Sequence, residues 1–425
     1  MKERTYFCLD AKSFYSSVEC VERGLDPMTT KLVVADPERS KGTLCLAVSP
    51  ALKAMGVKNR CRLYEIPEYL DYIIAAPRMQ KYIDYAARVH GLYLKYFSAA
   101  DIYPYSVDES FLDVTGYLQL YQKSPRELAA FLISEIKKEI GIPVTCGIGT
   151  NLYLAKIALD ITAKRSPDFI GELNEETYRE TLWDHTPLTD FWRIGNGTAR
   201  RLAKYGITTM RRIAETSEDF FYDRFGIDGE LLIDHAWGRE PTTIADIKAY
   251  KPKTNCLTSG QVLLRDYKFE EARIIVQEMM DLLCLDLVDK HLVTSSVSLY
   301  VGYSHTVYAP PAKGTASIKI ETNSDAVIIP AVVELYDRIT DRRLPIRRVV
   351  LNCNNVVTDT GLQQLSIFDR AVTLEALERD HRRQKAVLEI KKRYGKNAML
   401  KGMDLLDAAT TQERNRQIGG HKSGV

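Results

Sequence analysis

Ser106-Val107-Asp108-Glu109-Ser110 decides how the rest of the chain is read. Two adjacent carboxylates end an apolar-alternating run (Ile102, Pro104, Ser106) and precede a second one (Phe111, Leu112, Val114), the pattern of a β-hairpin turn. Neighbouring strand side chains point to opposite faces, so Asp108 and Glu109 come together only where the turn twists the backbone. Alone, such a pair reads equally well as surface decoration. A third carboxylate, Asp10, ends the N-terminal apolar run Tyr6-Phe7-Cys8-Leu9. An acid closing a buried strand, with an acid pair on a hairpin, is a construction that can hold two Mg²⁺ ions about 3.5–4 Å apart for an in-line phosphoryl displacement. Hard oxygen ligands suit that ion.

The 425 residues give a prior of about three domains, each large enough for its own core. A hydrophobic content of 45% and a charged content of 27% are those of a globular chain rather than a disordered or fibrous one. The net charge of +2 makes no case for nucleic-acid binding; its distribution says more. From Arg370 onward Lys and Arg outnumber Asp and Glu, while the body before it is close to neutral. No run approaches the ~18 apolar residues of a membrane span, and the N-terminal apolar stretch, broken by Asp10, does not read as a signal peptide. Eight cysteines are scattered without a C-x-x-C spacing, which fits reduced core thiols in a cytoplasmic protein.

After Asp10, Ser13 can cap a short helix in which Phe14, Val18 and Val21 recur at helical spacing and which Gly24 closes. Tyr15 lies on its first turn; a ring there is either core or the floor under a bound sugar. Residues 25–75 read as a small α/β piece with strands over 31–35 and 44–48, and they carry the cations Lys53, Lys58, Arg60 and Arg62. Such a cluster is either a solvated face or a contact for phosphates. A helical pattern over 76–98 leads into the hairpin, and Ser124-Pro125-Arg126-Glu127 is a capping box with proline at the first helical position. Residues 143–149 read as a buried strand, after which Thr150 or Asn151 caps a helix carrying Lys156, with Lys164 about two turns on. Lysines on the exposed face of a strand-turn-helix can hold a triphosphate by charge. Strand, helix, hairpin, helix, strand is a ferredoxin-like split βαβ arrangement.

Beyond Arg165 the composition changes. Phe191-Trp192-Arg193-Ile194-Gly195-Asn196-Gly197-Thr198-Ala199 is an I-G-x-G turn between helical patterns, followed by Arg200, Arg201 and Lys204. It reads as a helix-hairpin-helix grip on a nucleic-acid backbone, or as a plain helical turn. Residues 241–252 suit an extended, partly basic linker. Strand, helix, strand, strand, helix, strand then make a second α+β unit over 254–355, with no acid constellation and a binding role. The tail, from about Val356, holds Gln364-Leu365-Ser366-Ile367-Phe368, then a helix through Lys392 and a basic, loosely patterned end.

Taken together, Asp10 with Phe14-Tyr15, Ser106 to Ser110, Asn151 through Ala155-Lys156-Ile157-Ala158, and Trp192 to Ala199 resemble, in order and spacing, the motifs of the Y-family DNA polymerases. The resemblance covers nearly the whole chain and is closest to the UmuC/ImpB/MucB-like branch, similar to Gram-positive UV-damage-repair polymerases. It implies an α+β right hand: a ferredoxin-like palm (1–24 and 76–165), small fingers (25–75), a helix-hairpin-helix thumb (166–240), a linker (241–253), a little finger (254–355) and a tail (356–425). The implied activity is translesion synthesis on primer-template DNA from deoxynucleoside triphosphates, with two Mg²⁺ ions, in the DNA-damage (SOS) response. By the same resemblance Asp10, Asp108, Glu109 and the carbonyl of Ala11 are the metal ligands. Tyr15 is the steric gate against a ribose 2′-OH, Lys156 and Lys53 contact the triphosphate, and Gly195, Gly197, Arg200 and Arg201 serve the DNA backbone.

The chain departs from that pattern in places. Lys12 stands where many relatives carry an acid, and Pro50 and Lys53 stand where other branches carry Tyr and Arg. The string Gln364 to Phe368 is similar to the pentapeptide by which bacterial polymerases dock on the sliding clamp, with Leu365 and Phe368 as apolar anchors on a segment too polar for a core. Two other function classes fit parts of the chain: a nucleotidyl cyclase with a similar palm, and a catalytically silent DNA-binding homologue. The hairpin thumb and the binding unit speak against the first, and the three intact acids against the second.

Overall fold

Alternation along the first strand sorts its side chains onto two faces, and both are covered. In a computed structural model, which describes residues 4–252, 255–361 and 374–424, β1 (Tyr6–Ala11) turns Phe7 and Leu9 to one core and Tyr6 and Cys8 to another. The chain forms two compact units, Met1–Tyr250 and Lys251–Ser423. In the first, α1 (Phe14–Glu22) follows β1. A small sheet of β2 (Leu32–Val34), β3 (Ala47–Val48) and β4 (Ile73–Ala75), with α2 (Pro50–Ala54), then folds around its own core of Val33, Cys45, Leu52 and Ile66.

The chain returns through α3 (Met79–Tyr96), β5 (Ile102–Pro104), β6 (Glu109–Asp113), α4 (Tyr117–Tyr121) and α5 (Pro125–Ile140). The Ser124–Glu127 capping box starts α5, and Gly141, at φ +83°, stops it. Next come β7 (Val144–Gly149), α6 (Leu152–Ile157) and β8 (Ile170–Leu173). The sheet order is β5-β6-β1-β7-β8, with β1 antiparallel to both neighbours. Its first four strands give the split βαβ order expected from sequence, and β8 adds a parallel edge. Helices α1, α3 and α5 cover the Phe7–Leu9 face. On the other face α6 lies almost on the backbone: a Cβ at Gly147 would stand 2.1 Å from the Ala155 carbonyl oxygen, and one at Gly149 2.1 Å from the Ala155 nitrogen. Only glycine permits that approach.

Helices α7 (Glu175–Leu182), α8 (Asn196–Ala203), α9 (Met210–Glu215), α10 (Glu218–Phe225) and α11 (Asp228–Ala236) close on a separate core that includes Tyr178, Phe191, Leu202 and Phe221. The expected extended linker is not extended. Residues Ile244–Ala249 form α12, started by a Thr243–Asp246 capping box, and Ile244 is buried with Tyr6, Cys8 and Phe111. The box and the buried isoleucine outweigh the polar, proline-flanked composition that suggested a linker.

The second unit is a four-stranded antiparallel sheet in the order β11-β10-β12-β9, made of β9 (Leu257–Tyr267), β10 (Leu292–Tyr303), β11 (Ala312–Thr322) and β12 (Ile346–Asn354). Helices α13 (Phe269–Asp289) and α14 (Asp325–Ile339) pack on one face through Ile275, Met279, Leu283, Ile328 and Val332. A short β13 (Val357–Thr358) pairs with β10. The helix expected through Lys392 is present, and the end beyond it, expected to be loosely patterned, is docked on the unit. Helix α15 (Leu374–Tyr394) lies against α13, burying Leu377 and Gln384. Further on, the buried carboxylate of Glu278 accepts hydrogen bonds from the backbone N–H groups of Thr410 (3.0 Å) and Thr411 (3.1 Å). Lys401 pairs with Asp281 and Asp325. These polar segments dock by satisfying buried acids as well as by adding Leu377 and Ala408 to the core.

Candidate active site

Strand register assembles the acids. Asp10 pairs with Glu109 across β1 and β6, two positions on from Cys8 paired with Phe111. Because side chains two apart share a face, Asp10 and Glu109 stand side by side on the α6 face of the sheet. Asp108 precedes them on the turn, and its carbonyl accepts the Ala11 N–H at 3.0 Å, which ties the strand end to the hairpin. Within the turn, the Ser106 hydroxyl donates to Asp108 Oδ1 at 2.7 Å and accepts from the Glu109 N–H at 3.1 Å. This hydroxyl orients the Asp108 carboxylate and fixes the backbone at Glu109. Sequence reading quoted Ser106 as part of the motif without giving it this role; a Ser two residues before an acid in a turn is the signal that was present.

Burial, then the charges of Asp108 and Glu109, push Asp10 up to about 7. Among the described residues no group of three or more His, Cys, Asp or Glu side chains is gathered as a ready ligand set. Glu109 is held by Lys156, whose Nζ sits 2.8 Å from Glu109 Oε2 and 3.1 Å from Asp160 Oδ2. Lys156 is therefore not on an exposed helix face, as the strand-turn-helix pattern suggested. Its residue is 5% exposed, since α6 lies flush on β7. Burial works against its charge, but Cys8, Asp160 and Glu109 outweigh that and hold its pKa above the ordinary lysine value. Asp160, which also takes Lys164 at 2.9 Å, was missed by sequence reading, although its i+4 spacing from Lys156 was visible.

Tyr15 is half-buried and stacks on Tyr82, with centroids 4.4 Å apart and planes 15° apart. Burial, then the Asp108 charge, raises its phenol pKa. Lys53 reaches out of α2 to donate to the Ser13 hydroxyl at 2.8 Å, so this piece of the chain meets the end of β1. Lys12 points elsewhere, its ammonium 4.0 Å from the centroid of the Phe169 ring. Gly195 is the N-cap of α8, and a Cβ at Gly195 or Gly197 would meet nothing within 4 Å, so this turn is open to an approaching backbone. Arg200 is exposed and donates to the Asn196 carbonyl at 3.2 Å. Arg201 is engaged within the unit, over the Phe225 ring at 4.2 Å and donating to the Arg224 carbonyl. The segment before the turn is a single 3-10 turn, Leu188–Asp190, rather than a full helix. Gln364, Leu365, Ser366, Ile367 and Phe368 lie outside the described residues.

The sequence matches the impB/mucB/samB family over residues 9–160 and the C-terminal domain of that family over 258–367. It is also 30% identical, over 99% of this chain and 98% of the other, to a Bacillus subtilis protein named for UV-damage repair, UvrX. The chain belongs to the impB/mucB/samB family. Other relatives include the proteins named DNA polymerase IV 2 of Bacillus subtilis and of Halalkalibacterium halodurans, each 29% identical over 99% of both chains. Among solved structures, a Y-family DNA polymerase chimera superposes with a TM-score of 0.65 at 20% identity, covering 83% of this chain and 99% of that one. The impB/mucB/samB chain therefore has the Y-family polymerase fold. The first family match contains Asp10, Tyr15, Lys53, Asp108, Glu109 and Lys156. No helix among the described residues is long and apolar enough to cross a membrane.

Proposed function

We propose that the protein is a template-directed DNA polymerase that copies past damaged bases, joining a deoxynucleoside triphosphate to a primer 3′-hydroxyl in the cytoplasmic response to DNA damage. The observation that carries the reading is the register that sets Asp10 beside Glu109 on one sheet face, with Asp108 on the adjoining turn. The primer oxygen attacks the α-phosphorus, the bond to the bridging oxygen breaks, and pyrophosphate leaves. Asp10, Asp108, Glu109 and the Ala11 carbonyl would hold two Mg²⁺ ions. The donor set fits: all are oxygens, and Asp10, raised first by burial and then by the charges of Asp108 and Glu109, would be held ionised by a divalent cation. Such ions, when bound, acidify the attacking hydroxyl and neutralise the triphosphate.

The chain's own residues do the rest. Lys156, transferring its ammonium from Glu109 to a triphosphate oxygen, frees Glu109 as a ligand and compensates the incoming charge. Lys53 stands at the same strand end to meet the phosphates. Tyr15, backed by Tyr82, blocks the space a ribose 2′-OH would need. The open Gly195–Gly197 turn, with Arg200, holds the DNA backbone without reading its sequence; Arg201 steadies that turn through Phe225. Gln364 to Phe368 docks on the sliding clamp. Incubation with a primer-template, Mg²⁺ and all four deoxynucleotides, against a parallel reaction with nucleotide alone, tests the reading: templated extension supports it, whereas cyclic nucleotide or no product at all would overturn it.

A further inference from the structure

The sheet face that carries the acids also carries an aromatic contact that the polymerase reading does not use. Tyr105 starts the turn that ends in Asp108, and its backbone N–H is bonded to the Glu109 carbonyl at 2.9 Å. Its ring stands edge-on to Phe111 (5.7 Å) and to Trp192 (5.8 Å), and its hydroxyl accepts a hydrogen bond from Trp192 Nε1 at 3.0 Å. Trp192 lies three residues before Gly195. It also stacks toward His235 at 6.3 Å, which lies flat on Tyr153 of α6 at 3.9 Å. One indole thus touches the base of the catalytic hairpin, joins an aromatic column onto the helix that carries Lys156, and leads directly into the glycine turn.

We infer that Trp192 is a positioning residue that couples backbone grip at the Gly195–Gly197 turn to the placement of Asp108 and Glu109, through its hydrogen bond to Tyr105. This rests on the polymerase reading of the acids. A turn drawn onto a DNA backbone carries Trp192 with it. Because the Nε1–hydroxyl bond and the two edge-on contacts are directional, Tyr105 follows, and with it the hairpin bonded through Glu109. Coupling between two binding sites is reciprocal. DNA should therefore tighten the hold on divalent cations, and those cations should tighten the hold on DNA by the same factor.

The test uses the full chain with Trp192→Phe, Tyr105→Phe and the double variant. Tyr105→Phe keeps the ring and Trp192→Phe keeps a smaller aromatic one; each removes one partner of the hydrogen bond, and folding is checked by an unchanged melting temperature. The readouts are single-turnover insertion across a Mg²⁺ titration and DNA affinity without divalent cation. The expected result is that each single variant needs more Mg²⁺ and loses about tenfold in rate at limiting Mg²⁺, recovers at saturating Mg²⁺, and binds DNA normally without it. The double variant is then no worse than either single one. Wild-type Mg²⁺ dependence in both single variants, multiplied losses in the double, or a loss confined to metal-free DNA affinity would overturn the inference. Asp108→Asn is run beside them: if it stays active, the reading of the acids has failed, whereas if it is inactive and Trp192→Phe behaves as wild type, only the coupling has failed.

Discussion

In the proposed reading Tyr15 is a wall, held flat against Tyr82, whose hydroxyl is itself fixed by Glu19 Oε1 at 2.8 Å. Removing the ring opens space without unseating its support. Tyr15→Ala is expected to admit ribonucleotides far more readily than wild type, as measured by competing insertion of matched deoxy- and ribonucleotides; unchanged discrimination would make the ring ordinary core. Glu19 is the support beneath that wall. Fully buried, it accepts two bonds from Arg78 at 2.8 and 2.9 Å, one from Arg23 and one from Tyr82. Burial alone would raise its pKa; the donors outweigh burial and hold it below the ordinary carboxylate value. A depressed folded pKa stabilises the fold above the ordinary carboxylate range, and the contribution is lost as pH falls through the folded value. Glu19→Gln should therefore cost about 3 kcal/mol near neutrality, with the gap to wild type constant from about pH 6 to 8 and closing below about pH 4. Urea unfolding across that range checks both size and sign. The acids were legible in the sequence because strand alternation and a turn placed them. Glu19 was not, since its partner Arg78 is far away in sequence and only the fold brings it near.

Helix α6 shows what a pattern alone conveys about an element and what it leaves out. The strand-turn-helix over residues 143–157 was readable from its apolar run and from the Asn151 cap, whose side chain does accept the Leu154 N–H at 2.8 Å. That Lys156 points inward was not readable, because it follows from how closely the helix approaches the sheet, and two strand glycines set that distance. Gly147→Ala would put a methyl 2.1 Å from the Ala155 carbonyl oxygen and 2.3 Å from the Leu159 nitrogen, so backbone must move. The expected cost is about 1–3 kcal/mol, accompanied by slowed nucleotide insertion as Lys156 is displaced from Glu109. Gly91→Ala, inside α3 where a Cβ meets nothing within 4 Å, is the control and should be neutral or slightly stabilising. Thermal melting and insertion rate, measured on both, separate a local clash from a general dislike of added volume. Helix α12 gives the same lesson in reverse: the Thr243–Asp246 box was in the sequence, and proline and lysine on either side hid it.

At the scale of the whole molecule, two units are built on different principles. The first gathers chemistry at the end of a central strand. The second presents a sheet backed by α13 and α14, with a polar segment strapped to it through Glu278, Asp281 and Asp325. Glu278 and Asp281, three residues apart among Met279, Met280, Leu282 and Leu283, were the sequence signal for that strap. If Gln364 to Phe368 docks on a sliding clamp as proposed, it would raise the local concentration of the polymerase there without needing high affinity. Changing Leu365 and Phe368 together to Ala is expected to leave single-nucleotide insertion intact and to abolish stimulation by the sliding clamp in primer-extension assays; full stimulation would place the contact elsewhere. The central claim is that Asp10, Asp108 and Glu109 form one catalytic centre, and it is tested most directly by templated single-nucleotide insertion with Mg²⁺, wild type beside Asp108→Ala. Wild type should add the templated nucleotide. The variant, which should bind primer-template and melt as wild type does, should lose on the order of a thousandfold or more in rate. Insertion by Asp108→Ala at the wild-type rate would contradict the account.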